Sequence, residues 1–112
     1  MTASASWTAF PPGSDRATGD RVAAPEDVDV WVGLDVGKEE HFADVLDDDG
    51  EAIFARSVAN DEADLEALLE RASQRGTPGL VIDQPGSIAQ LAIALAARRG
   101  VPVAYVPGLV MR

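Results

Sequence analysis

Between Val28 and Val36 every second residue is aliphatic: Val28, Val30, Val32, Leu34 and Val36. The positions between them hold Asp29, Trp31, Gly33 and Asp35. A period of two is the signature of a β-strand, because successive side chains point to opposite faces. The strand therefore has one aliphatic face, and it delivers a carboxylate, Asp35, at its carboxyl end. Val36-Gly37-Lys38 follows.

The residues after this strand read as a meander and then as helical crossovers. His41 to Leu46 is a second strand. Asp47-Asp48-Asp49-Gly50 carries the Asp-Gly signal of a hairpin turn, and Ala52 to Val58 returns as the third strand. A helix follows, capped by Asn60 or Asp61. Its first turn is acidic (Asp61, Glu62, Asp64) and its last is basic (Arg71, Arg75), as the helix dipole favours. Leu65, Leu68, Leu69 and Ala72 form its apolar stripe, and Gly76 is the expected stop. Leu80 to Asp83 is a fourth strand, continuously apolar as in strands covered on both faces. Ser87 is the expected cap of a second helix, Ile88 to Arg99, stopped by Gly100. Val101 to Val106 is the fifth strand, with Pro102 suited to an edge or to the strand start.

The order β-β-β-α-β-α-β implies an α/β fold with a mixed sheet. Helical crossovers demand parallel pairing and right-handed connections. The simplest packing puts the first strand in the middle, giving the order 3-2-1-4-5. The carboxyl ends of the first and fourth strands then lie together where the connections diverge, the place at which open α/β sheets bind ligands. Both strands end in Asp, at Asp35 and Asp83. Two neighbouring carboxylates repel when ionised, and a hard divalent cation such as Mg²⁺ or Mn²⁺ relieves the repulsion. Such ions clamp the attacking and leaving oxygens of a phosphoryl displacement. Taken alone, each Asp reads more readily as a polar strand end or turn starter; it is the pair, at matching ends of neighbouring strands, that favours a site.

Charge narrows the partners. Nineteen acids against nine bases give −10 over 112 residues. Residues 1–27 hold four acids and two Arg, so −2, and the rest of the chain carries −8. Non-specific nucleic-acid affinity comes from Lys and Arg neutralising phosphates. Any nucleic-acid contact must therefore rest on metal ions or on basic surface elsewhere in a complex. The absence of Cys excludes disulfides and thiolate metal sites, and a single His, His41, excludes a multi-His zinc site. No basic segment precedes an apolar run at the amino terminus, and Ile88 to Ala97 is too short to span a bilayer. A soluble, cytoplasmic chain with no membrane contact is expected. Residues 1–27, rich in Ala, Ser, Thr, Gly and Pro, read as a disordered leader, with Trp7 and Phe10 as isolated aromatics. Residues 28–112 form the domain.

Other chemistry-bearing residues have ordinary readings beside functional ones. Gly37-Lys38 can present an amide and an ammonium to phosphate, which makes Lys38 the candidate nucleic-acid contact; its spacing also fits a hairpin turn with a solvated lysine. Gln84-Pro85-Gly86 reads as a loop into a helix. An EF-hand loop with Gly50 at its sixth position needs an acid at Val45 and a Glu at Arg56, so the Asp47–Gly50 cluster reads as a turn. His41, with no second histidine, reads as a strand-surface residue rather than a catalytic base.

The segment Val32-Gly33-Leu34-Asp35-Val36-Gly37-Lys38, the hairpin, the amphipathic helix, the apolar strand ending in an acid, and Val103-Ala104-Tyr105-Val106-Pro107 together resemble the N-terminal domain of transposases of the insertion sequence 110 group. These are the DEDD transposases, with a RuvC-like, RNase H-like fold. The resemblance covers residues 28–112. It implies metal-dependent DNA recombination by the full-length proteins, acting as homo-oligomers with a structured guide RNA. Asp35 matches the family's first acid. Asp83 matches the second, which is usually Glu, so the ligand here is one methylene shorter. Two further acids and a later serine follow the fifth strand in that family; this chain reaches only Arg112, with Leu109-Val110-Met111 reading as the start of a helix. The domain is thus expected to be truncated, with Mg²⁺ or Mn²⁺ binding expected only for a completed site and little activity alone.

Two other classes remain. An ATP-binding domain of the actin and sugar-kinase type also turns a Gly-x-Asp-x-Gly segment around phosphates, but Lys38-Glu39-Glu40 would set two acids beside the triphosphate. An acidic interaction module would use no chemistry and would associate through a sheet edge or the Leu109–Met111 patch.

Overall fold

The computed structural model describes residues 6–8, 25–83 and 86–106. A central strand organises them, and it is the alternating one. Strand β1 (Ser6–Thr8) is followed by β2 (Val30–Asp35), β3 (Glu40–Asp47), β4 (Ala52–Ala59), helix α1 (Glu62–Ser73), β5 (Pro78–Ile82), helix α2 (Gln90–Arg98) and β6 (Val103–Tyr105). The sheet order is β1-β6-β5-β2-β3-β4. β2 is antiparallel to β3 and parallel to β5, and β5 is parallel to β6. The five strands foreseen from the sequence therefore stand in the expected order, 3-2-1-4-5, in an RNase H-like mixed sheet.

The sheet has a sixth strand. β1 pairs antiparallel with β6, with Ser6 opposite Tyr105 and Thr8 opposite Val103. The expected leader is thus corrected at these three residues, and Pro25–Asp27 forms a 3-10 turn. An unpaired strand edge is a template for any extended segment, and three residues are too few to show a periodic pattern. Residues 9–24 of the expected leader, Phe10 among them, lie outside the described residues. So do Gln84, Pro85, Pro107 and Leu109–Met111.

Both helices cover one face of the sheet. Val30, Val32 and Leu34 of β2 pack there with Leu65, Leu68, Leu69 and Ala72 of α1 and with Ala92, Ile93, Leu95 and Ala96 of α2. The α1 stripe is the one its 3.6-residue spacing requires. Asp61 is the cap, its side chain accepting from Asp64 N at 2.8 Å. Arg98 and Arg99 tie the helices together through Glu62, Glu66 and Glu70, which lie one turn apart on α1. On the opposite face Val81, Ala104 and Val106 form a second buried group with Trp31 against it. β5 is thus buried on both sides, as its continuous apolar run requires.

Three local expectations change. Ser87 does not cap the second helix; it opens a 3-10 turn, Ser87–Ala89, that leads into α2 without a side-chain cap. Gly76 stands beyond the end of α1, whose cap is Gln74. His41 is not on the surface: it is buried to 1%. It shares the inward alternation of β3 with Ala43 and Val45, which face the helix-covered core.

Candidate metal-binding edge

The parallel register between β2 and β5 runs from Val30 opposite Pro78 to Leu34 opposite Ile82. The next residue on each chain is an aspartate, Asp35 and Asp83. The two carboxylates that the sequence assigned to matching strand ends therefore emerge at one edge of the sheet. Asp35 is exposed and Asp83 is half-buried. Asp83 Oδ1 accepts from Val36 N at 3.3 Å, so its carboxyl group leans toward the chain leaving β2. One accepted bond is compatible with metal ligation, because a carboxylate offers about four acceptor sites. Paired carboxylates supply the hard oxygen donors that Mg²⁺ and Mn²⁺ prefer, and they fit that class of ion rather than a thiophilic one.

The turn after Asp35 is tightly built. Gly37 donates its amide to His41 Nδ1 at 3.0 Å. A Cβ at Gly37 would collide with the carbonyl oxygen of Glu40, which explains the glycine there. Lys38 is exposed on this turn, three residues from Asp35. The Gly37 amide is engaged within the protein, so the backbone half of the phosphate cradle read from Gly37-Lys38 is not presented outward. The other His41 nitrogen, Nε2, is 3.1 Å from Asn60 Oδ1, and Asn60 N donates to Glu39 O at 3.3 Å. Neither His41 nor Asn60 was singled out as part of this edge from the sequence. The alternation His41, Ala43, Val45 was the available signal.

A second acidic group lies elsewhere. Asp47, Asp48 and Asp49 place carboxylate oxygens within 4.8 Å of one another. They form the hairpin turn that the Asp-Gly signal indicates. Asp47 Oδ1 accepts from Asp49 N and Glu51 N, both at 2.9 Å, and Gly50 N donates to Asp47 O at 3.0 Å. Asp47 pairs with Val30 and Phe42 with Asp35, so the triplet sits at the opposite end of β2. At about 3.3 Å per residue the two acidic groups are roughly 17 Å apart along the strand.

Another carboxylate, Asp64, is held below its usual value. The Ala59 amide contributes most to that, at 2.7 Å, and the Arg56 guanidinium adds to it at 2.8 Å. Arg98 and Arg99 likewise lower the Glu66 carboxyl. Both acids serve packing between elements. None of the described helices is long and apolar enough to cross a membrane.

The sequence is similar to a transposase family and to proteins of insertion elements. A family model described as transposase, that of the DEDD transposases of insertion sequence 110, matches residues 32–112. A 44.8 kDa protein of insertion element IS116 from Streptomyces clavuligerus is 42% identical over 79 residues, covering 70% of this chain and 20% of its own length. A 43.6 kDa protein of insertion element IS110 from Streptomyces coelicolor is 41% identical over 88 residues, covering 78% and 22%. A 42 kDa protein of insertion element IS900 from Mycobacterium paratuberculosis is 38% identical over 82 residues, covering 70% and 21%. The chain thus spans about a fifth of the length of these relatives.

Proposed function

Because the chain belongs to the DEDD transposase family of insertion sequence 110, we propose that it forms the amino-terminal part of a DNA recombinase catalytic domain, in which Asp35 and Asp83 bind a divalent metal ion. The observation that carries this reading is the parallel register of β2 and β5, after whose last pair, Leu34 and Ile82, each chain continues with an aspartate at one edge. A bound Mg²⁺ or Mn²⁺ would polarise a phosphoryl oxygen and ease deprotonation of an attacking hydroxyl. Asp35 and Asp83 would hold and orient that ion. The Val36 amide fixes Asp83 for the task. Lys38, exposed on the adjacent turn, would meet the phosphate backbone.

Within this reading DNA is the substrate, and the family resemblance adds a guide RNA and self-association as partners. The net charge of −10 supports a metal-mediated contact, since the chain has too few cations to bind phosphates in bulk. Two carboxylates make an incomplete ligand set. Alone the chain is expected to bind metal weakly, because affinity grows with ligand charge and count, and to catalyse little or nothing.

The ATP-binding alternative is disfavoured by a specific contact. The Gly37 amide, which such a site needs for phosphate, donates to His41 instead. The interaction-module alternative loses part of its support because β1 covers the outer edge of β6.

Mn²⁺ titration followed by NMR tests the proposal, since the ion broadens nearby signals. The amides of Val36, Gly37 and Asp83 should broaden before those of Asp48, Asp49 and Gly50. Broadening confined to the hairpin would contradict the assignment.

A further inference from the structure

A buried imidazole is costly unless its ring nitrogens are hydrogen-bonded. His41 is the one polar side chain among the buried described residues, and both its nitrogens have partners. Nδ1 accepts the Gly37 amide. That bond fixes the tautomer: the proton sits on Nε2, which then donates to Asn60 Oδ1 at 3.1 Å. Asn60 closes the circuit through its own amide, which donates to Glu39 O. The Gly37–Glu40 turn is thereby held from beneath by one side chain anchored at the end of β4.

What the turn carries gives this its meaning. The peptide that supplies the Gly37 amide begins at Val36, and the Val36 amide donates to Asp83 Oδ1. Asp35 precedes it directly. A single short stretch of main chain thus connects the imidazole to both carboxylates. We infer that His41 is a positioning residue: through Gly37 it fixes the Asp35–Lys38 segment and so sets the relation of Asp35 to Asp83. The inference rests on the metal-edge reading only for what the segment serves; the clamp itself is read from its own bonds.

Two substitutions divide the clamp. In His41→Asn the amide oxygen stands near the place of Nδ1 and can accept from Gly37, while the bond to Asn60 is lost. In His41→Gln the amide nitrogen stands near the place of Nε2 and can donate to Asn60, while the bond from Gly37 is lost. Amide hydrogen exchange at Gly37 should accelerate about tenfold in His41→Gln and change less than about threefold in His41→Asn. Equal acceleration in both variants would reduce His41 to a packing residue and overturn the inference. Nitrogen-15 shifts of the wild-type imidazole give a check that needs no variant. They should report an unprotonated Nδ1 and a protonated Nε2, and the reverse tautomer would overturn the inference as well. Mn²⁺ affinity then separates the two claims. If His41→Gln weakens Mn²⁺ binding and His41→Asn does not, both stand. If wild-type binding does not depend on Asp35, the metal reading fails, and Gly37 exchange still decides the clamp.

Discussion

The two acidic ends of β2 look alike in composition and differ in construction. At one end three consecutive aspartates, Asp47 to Asp49, crowd their oxygens within 4.8 Å. At the other, Asp35 and Asp83 are 48 residues apart in sequence and are brought to one edge of the sheet by the parallel pairing of β2 and β5. The denser group is the more local one. Its leading carboxylate is occupied with two backbone amides, which is what an aspartate in a tight turn does. The sparser group sits where the topology opens a ligand crevice. Clustering along the sequence reflects the local turn, whereas the approach of Asp35 and Asp83 to one edge reflects the sheet topology.

The largest expected effect contrasts the turns at the two ends. Gly37→Ala places a Cβ against the Glu40 carbonyl, in a turn already clamped by His41. It should cost about 2–3 kcal/mol in urea unfolding. Gly50 at the hairpin has open space for a Cβ and only its positive φ of 84° to lose. Gly50→Ala should cost about 1 kcal/mol. Equal losses would show that the Asp35 end is no more tightly built than the hairpin.

A smaller effect separates the acid that braces the hairpin from the acid proposed as a metal ligand. Asp47→Ala removes acceptors from two exposed amides and should lower stability by about 0.5–1 kcal/mol, leaving Mn²⁺ affinity unchanged. Asp83→Asn keeps an acceptor for the Val36 amide while halving the paired charge. It should leave stability within about 0.5 kcal/mol and weaken Mn²⁺ binding. A reversal of the two metal results would move the site to the hairpin.

The smallest effect concerns Asp64, which is held by hydrogen bonds at neither acidic group. Its folded-state carboxyl is depressed by the Ala59 amide and Arg56. Its contribution is therefore fully present above the ordinary aspartate value and is lost as pH falls through the lower folded value. Thermal midpoints measured from pH 5 down to pH 2 should fall further for the wild type than for Asp64→Asn. Parallel curves would remove Asp64 from the acid response.

Much of this was legible in the sequence for identifiable reasons. β2 and α1 announce themselves because their buried positions repeat at the period of the element. The placing of Asp35 and Asp83 at one sheet edge follows from connection lengths and handedness, which leave few topologies. The rest depended on partners distant in the chain. β1 has three residues and owes its existence to the edge of β6. The 3-10 entry to α2 replaces a side-chain cap, so Ser87 misled. His41 carried an inward alternation that was visible beside Ala43 and Val45, but what makes its burial tolerable is Asn60, 19 residues on, and a glycine amide in the preceding turn.

Calorimetric titration of Mn²⁺ into the intact chain and into Asp35→Ala tests the central assignment most directly. Weak binding, millimolar or thereabouts, is expected for the wild type, with the heat lost in Asp35→Ala. Indistinguishable heats from the two proteins would contradict a metal site at the carboxyl ends of β2 and β5.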